Sequence, residues 1–221
     1  MLRDESLEEI WDGKLYTLND MVKADCQGCK GCSECCRGMD DTVVLDPLDV
    51  HRICTYFKME PEELIASRLE IGFVDGLILP HLAMTGPDKA CSFLNAEGRC
   101  SIHPYRPGFC RMFPLGRYYQ GDDFSYILQA HECPKPNRTK VKVKRWLDTP
   151  DLKQYEKFVR DWHNFLRDVR LLLSDSEDET LFDNMNRYII GRFYRQPYDP
   201  DKDFYTQFEA RLVEGKNLLA L

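Results

Sequence analysis

The sequence predicts an α+β chain. An irregular, cysteine-rich metal-binding domain of short hairpins and helices is expected over residues 1–137, with a helical extension over 138–221 packed on it. Three observations lead there. Five of the ten cysteines fall in the run CQGCKGCSECC, from Cys26 to Cys36. No cysteine follows Cys133. Beyond Asp148, apolar residues recur at the three-or-four spacing of a helix with one buried face.

Composition narrows the class. Of 221 residues, 43% are apolar and 30% charged, which suits a folded core rather than a disordered chain. The formal net charge of −7 argues against a nucleic-acid partner or an acidic membrane surface. A protein partner is expected, and a small-molecule substrate is left open. The opening MLRDESLEEIWDGK carries acids where a secretory signal needs an apolar run, and no stretch is apolar enough to span a bilayer. The expected location is therefore the cytoplasm. Thiols stay reduced there, which favours metal over disulfides for the cysteines.

The elements follow in order. Residues 1–25 read as a polar lead-in with a short apolar stretch from Leu15 to Leu18. Gly28 and Gly31 suit tight turns between cysteines. Thr42 to Leu45 reads as a strand, and Asp46 can cap a helix opening at Pro47. A second helix is expected from Pro61 to about Glu70. Residues 72–84 read as short strands broken by Gly76 and Pro80. CSFLNAEGRCSIH reads as a hairpin turning between Asn95 and Gly98, and Arg117 to Leu128 as another turning between Gln120 and Asp123. Thr149 is the expected cap of the long amphipathic helix, and Ser176 to Glu179 has capping-box spacing before the next. That helix carries Phe182, Met185, Ile189 and Phe193, and a last one runs from about Lys202 to Val213.

The sulfur spacing points to metal. Cys26, Cys29, Cys32 and Cys35 are each two residues apart, which lets tight turns bring paired sulfurs to one ion. Neighbouring side chains in extended chain point apart, so Cys35 and Cys36 are expected to serve different metals or different corners of one cluster. Cys91, Cys100, Cys110 and Cys133 are too widely spaced for a knuckle and must be gathered by the fold. Four near and four far thiols suit two four-thiolate sites, or one cluster with thiols to spare. Cys26, Cys29, Cys32 and Cys36 also match the bacterial ferredoxin run, with Arg37 in place of its proline, and Cys133-Pro134 supplies a Cys-Pro pair. Spacing thus favours an iron–sulfur cluster, [4Fe–4S] first, with zinc as the alternative. Either centre carries a charge of about −2 and needs cations nearby. Lys30, Arg37, Arg99, Arg106 and Arg111 each lie within a few residues of a cysteine.

CKGCSECCRG, LDPLDVHRI and CSFLNAEGRCSIHPYRPGFCRMFP together resemble the YkgJ-like cysteine-cluster family, the zinc- or iron-chelating CxxCxxCC domain, over about residues 26–134. The resemblance implies eight metal ligands: Cys29, Cys32, Cys35, Cys36, Cys91, Cys100, Cys110 and Cys133. Ser33 stands where the family often has glycine, and Cys26 is extra to the motif. The cysteine domain of flagellin lysine N-methylases is distantly similar. It implies a second reading, an S-adenosylmethionine-dependent protein lysine methyltransferase, although the chain has no glycine-rich nucleotide loop and no CxxxCxxC in the run. A zinc-stapled interaction protein is the third.

Other residues have plainer readings. Cys54 falls on the apolar face of the helix after Pro47 and reads as a core thiol. His103 reads as a turn residue before Pro104. Arg138, Lys140, Lys142, Lys144 and Arg145 alternate as on a solvated edge strand. Tyr118, Tyr119 and Tyr126 can line a pocket or cover a hairpin. No serine–histidine–acid or paired-carboxylate set stands out, so no catalytic residue is assigned.

Overall fold

The computed structural model describes residues 11–26 and 32–219. In chain order the strands and helices are β1 (Met21–Asp25), α1 (Pro47–Phe57), α2 (Pro61–Arg68), β2 (Leu69–Val74), β3 (Leu77–Leu82), β4 (Met84–Thr85) and β5 (Ala90–Cys91). Then come α3 (Gly108–Met112), β6 (Leu115–Gln120), β7 (Asp123–Leu128), β8 (Thr139–Lys142), α4 (Val143–Leu147), α5 (Leu152–Ser174), α6 (Glu179–Ile189) and α7 (Phe204–Leu219). The strands pair antiparallel in twos: β1 with β8, β2 with β3, β4 with β5, and β6 with β7. This is the expected α+β class. No helix among the described residues is long and apolar enough to cross a membrane.

The contacts fall into two compact units. Residues 1–43 join 83–152, and residues 44–82 join 153–221.

The first unit is built on the β6–β7 hairpin, which turns at Gly121 and Asp122 as expected. Its core holds Val22, Ala24, Met112, Leu115, Tyr126, Leu128, Val143 and Leu147. Two of these come from β1, in a segment that reads as lead-in from sequence. MVKAD alternates exposed and buried, but Val22 and Ala24 are too few and too small to announce a strand. Its partner β8 is the basic stretch expected to be an edge strand, which becomes helix at Val143. The expected hairpin within Cys91 to His103 forms as a short one, turning between Asn95 and Gly98. Leu94 bridges Cys100, the Asn95 amide donates to the Arg99 carbonyl and the Ser101 amide to the Phe93 carbonyl, each at 2.9 Å, and Asn95 Oδ1 accepts from the Arg99 amide at 2.7 Å. Cys91 itself pairs backwards, with Met84.

The second unit opens as expected. Asp46 caps α1, Pro47 is its first residue, and Asp49 completes a reciprocal capping box. The expected strand at Thr42 to Leu45 is only a bridge from Val44 to His81, with the Leu45 amide on the Pro80 carbonyl at 2.9 Å. Helix α2 stops at Arg68, short of Glu70, because Leu69 already belongs to a hairpin. Asp75 and Gly76, at φ 48° and 84°, turn that hairpin. Pro80 does not break it but sits in β3 opposite Ile71.

Helix α5 buries Tyr155, Phe158, Val159, Trp162, Phe165, Leu166 and Val169, the expected stripe. It begins at Leu152, later than a Thr149 cap implies, since Asp151 takes a left-handed φ of 45°. Asp178, not Ser176, caps α6, accepting from the Thr180 and Leu181 amides. Helix α6 continues as a π-helix over Ile190–Arg195, and α7 extends past Val213 to Leu219. Arg211 is only 6% exposed. It donates to the carbonyls of Arg192, Gln196 and Pro197 and lies 3.7 Å over the Tyr198 ring. It thereby satisfies carbonyls in and just past the π-turn.

Candidate metal centre

Nine cysteines are described, and no disulfide links them. Cys29, with Gly28, Lys30 and Gly31, lies outside the described residues. Cys26 follows the last residue of β1 and is buried. Cys32 precedes a 3-10 turn, Glu34–Cys36, closed by the Cys36 amide on the Ser33 carbonyl at 2.9 Å.

The Cys35 and Cys36 side chains share a hydrogen bond, which with burial pushes the Cys35 thiol far above the usual range. A 3-10 turn lacks the alternation of extended chain, so adjacent sulfurs stay within reach.

Cys26, Cys32, Cys35 and Cys133 line one small pocket of ≈ 20 Å³, with Glu34, Phe113, Pro114, Pro134 and Lys135 around them. Three chain segments supply the thiols. Cys26 comes from the end of β1, and Cys32 and Cys35 from the residues leading into and forming the turn. Cys133 comes from the loop between β7 and β8, which the Arg138 guanidinium ties to the Ala130 carbonyl at 3.1 Å. Phe113 and Pro114, which follow α3, form an apolar wall.

Cys100 stands near enough to Cys35 for their charges to interact, and its sulfur accepts from the Ile102 amide. Burial raises its pKa, and Arg106 and Arg99 pull the other way. Cys91 is buried on β5, whose Ala90 bridges Arg37, the residue after Cys36. Cys110 is half-buried on α3 in the same unit. Among the described residues, no three Cys, His, Asp or Glu side chains stand close enough together to hold one ion. The thiols line a pocket and its margin.

The arginines near these cysteines divide by task. Arg106 acts on both Cys35 and Cys100. Arg37 faces Asp88 at 3.5 Å on the surface. Arg111 is buried and donates to the carbonyls of Pro104 and Asp148, which makes it a strut. His103 begins a 3-10 turn beside Arg106, and burial with that arginine lowers its pKa. Cys54 belongs to the other unit, on the buried face of α1, as its core reading anticipates.

The family model CxxCxxCC, described as a "putative zinc- or iron-chelating domain", matches residues 28–134. This stretch is a CxxCxxCC domain. No curated protein and no solved structure matches the chain. The chemistry of the donor set in the CxxCxxCC domain suits a metal. Thiols are gathered from distant segments, Phe113 and Pro114 line one side of the pocket, and Arg106 and Lys135 supply positive charge. The pocket also includes Cys26, which the motif resemblance leaves out. Its sequence signal was its even spacing with Cys29, Cys32 and Cys35.

Proposed function

We propose that the CxxCxxCC domain holds an iron–sulfur cluster, [4Fe–4S], on its thiolates and serves a redox, sensing or maturation role toward a protein partner. One observation carries this reading: thiols from three separate segments face a single apolar pocket in a domain of the zinc- or iron-chelating type. Cys32, Cys35 and Cys133 would hold the group at the pocket, with Cys100 beside them. Such a cluster supplies a one-electron redox couple tuned by its hydrogen bonds and exposure. The chain's own residues do the rest. Phe113 and Pro114 give the sulfurs an apolar neighbour, while Arg106 offsets thiolate charge. The test is metal and sulfide content of protein purified without oxygen. About four irons and four sulfides per chain, with a broad visible absorption, support the cluster.

Zinc is the second reading. A pocket of ≈ 20 Å³ suits a single ion, and a four-thiolate zinc would staple the segments together. Stoichiometric zinc in a colourless protein supports it and rejects the cluster.

A further inference from the structure

We infer that Cys26 is a metal ligand of this pocket, although it lies before the matched stretch 28–134. The inference rests on the metal-binding reading above and deepens it. Three observations converge on Cys26. It is 8% exposed, and it lines the same pocket as Cys32, Cys35 and Cys133. Strand β1 holds it there from one side. Val22 and Ala24 are 1% and 0% exposed in the core, so the strand that ends at Cys26 is anchored. Strand β8 holds it from the other. Asp25 pairs with Thr139, whose hydroxyl donates to the Asp25 carboxylate at 3.2 Å. Thr139 follows the loop that carries Cys133, Pro134 and Lys135 into the pocket.

The ladder therefore fixes Cys26 and the Cys133 loop to each other without help from the motif. Its register slips between Val22 and Asp25. Such irregularities commonly re-aim a side chain at the end of a strand. Deprotonated, Cys26 would complete four thiolates around the pocket, the number a tetrahedral zinc or a cluster takes.

The test compares Cys26→Ala, Cys32→Ala and Cys54→Ala in the full chain, purified without oxygen. Metal per chain and the absorption spectrum are read. Cys26→Ala is expected to bind metal about tenfold or more weakly, as Cys32→Ala does, with Cys54→Ala unchanged. Wild-type metal and spectrum in Cys26→Ala overturn the inference while leaving the metal site standing. A wild-type chain that holds neither iron nor zinc overturns the metal reading itself. Should Cys26→Ala fail to fold, native alkylation of wild-type protein decides. Cys26 is expected to label faster after a chelator strips the metal, and a labelling rate that the metal does not change overturns the assignment.

Discussion

Cys35 and Cys133 line the same pocket, although nearly the whole CxxCxxCC domain separates them in the chain. Binding a metal there closes a long loop, so binding energy becomes folding energy. Cys35→Ser and Cys133→Ser are each expected to weaken metal binding about tenfold or more and to lower the melting temperature with it. Chelator-treated variants should melt together with chelator-treated wild type. Cys110→Ser is expected to behave the same way. Normal metal content in all three, by elemental analysis, sinks the prediction.

Cys54 should be an inert thiol. Burial, aided by Glu60 and Glu63, pushes its pKa up to about 12. At pH 8 its thiolate is then scarcer than that of an ordinary cysteine by about a thousandfold. Iodoacetamide should label Cys54 far more slowly than an exposed free thiol in the native, metal-stripped protein, as followed by mass spectrometry. Labelling of Cys54 at the rate of a free thiol contradicts its burial.

His51 should make the second unit sensitive to acid. Its ring stacks on Phe204 at 5.2 Å and meets the edge of Tyr198 at 5.8 Å. Burial, with Arg52 and Arg211 nearby, lowers its pKa. The unfolded chain therefore takes up the proton first as pH falls. The neutral ring's contribution is complete above the ordinary value of about 6.5 and is lost as pH drops toward the lower folded value. Melting curves from pH 8 to pH 5 should show wild type losing stability faster than His51→Gln across that window. Parallel curves count against it.

Arg211 anchors the π-turn. Arg211→Met keeps much of the apolar stem but strands the carbonyls of Arg192, Gln196 and Pro197. A loss of about 1–3 kcal/mol is expected by denaturant unfolding, since hydrogen bonds to a charged group contribute about 1.5–3 kcal/mol and the exposed Gln196 and Pro197 let water replace part of them. Arg211→Lys should recover little, because an ammonium cannot reproduce the fork or the stacking on Tyr198. Full recovery by lysine would falsify this account.

Gly72 should resist enlargement. A Cβ added there would stand 2.7 Å from Nε2 of His81, its diagonal neighbour on β3 and a buried side chain. Gly72→Ala is expected to cost about 1–3 kcal/mol by the same assay, as overpacking does. An unchanged midpoint means that His81 moves aside freely.

Local order was legible wherever one short segment carries its own physics. Asp46 and Pro47 announce a helix start because the cap and the missing N–H act within one turn. The stripe from Tyr155 to Val169 announces α5 because burial repeats with the helical period. The turn at Gly121 and the metal-binding character of the cysteine run are local in the same sense. Pro80 and the segment from Thr42 to Leu45 misled because their outcome depends on which strand lies alongside, and pairing partners are not encoded in the segment itself.

By itself, the sequence determined the α+β class, the thiol-rich chemistry of about residues 26–134 and the helices from α5 onward, since composition, caps and periodicity act between near neighbours. Only the tertiary structure decided that Cys26 shares a pocket with Cys32, Cys35 and Cys133, that adjacent Cys35 and Cys36 meet, and that residues 44–82 form one compact unit with 153–221. Those outcomes rest on the β1–β8 ladder, the 3-10 turn and the packing of distant apolar faces. They are non-local because what stabilises each is the burial and pairing it gains against a remote part of the chain.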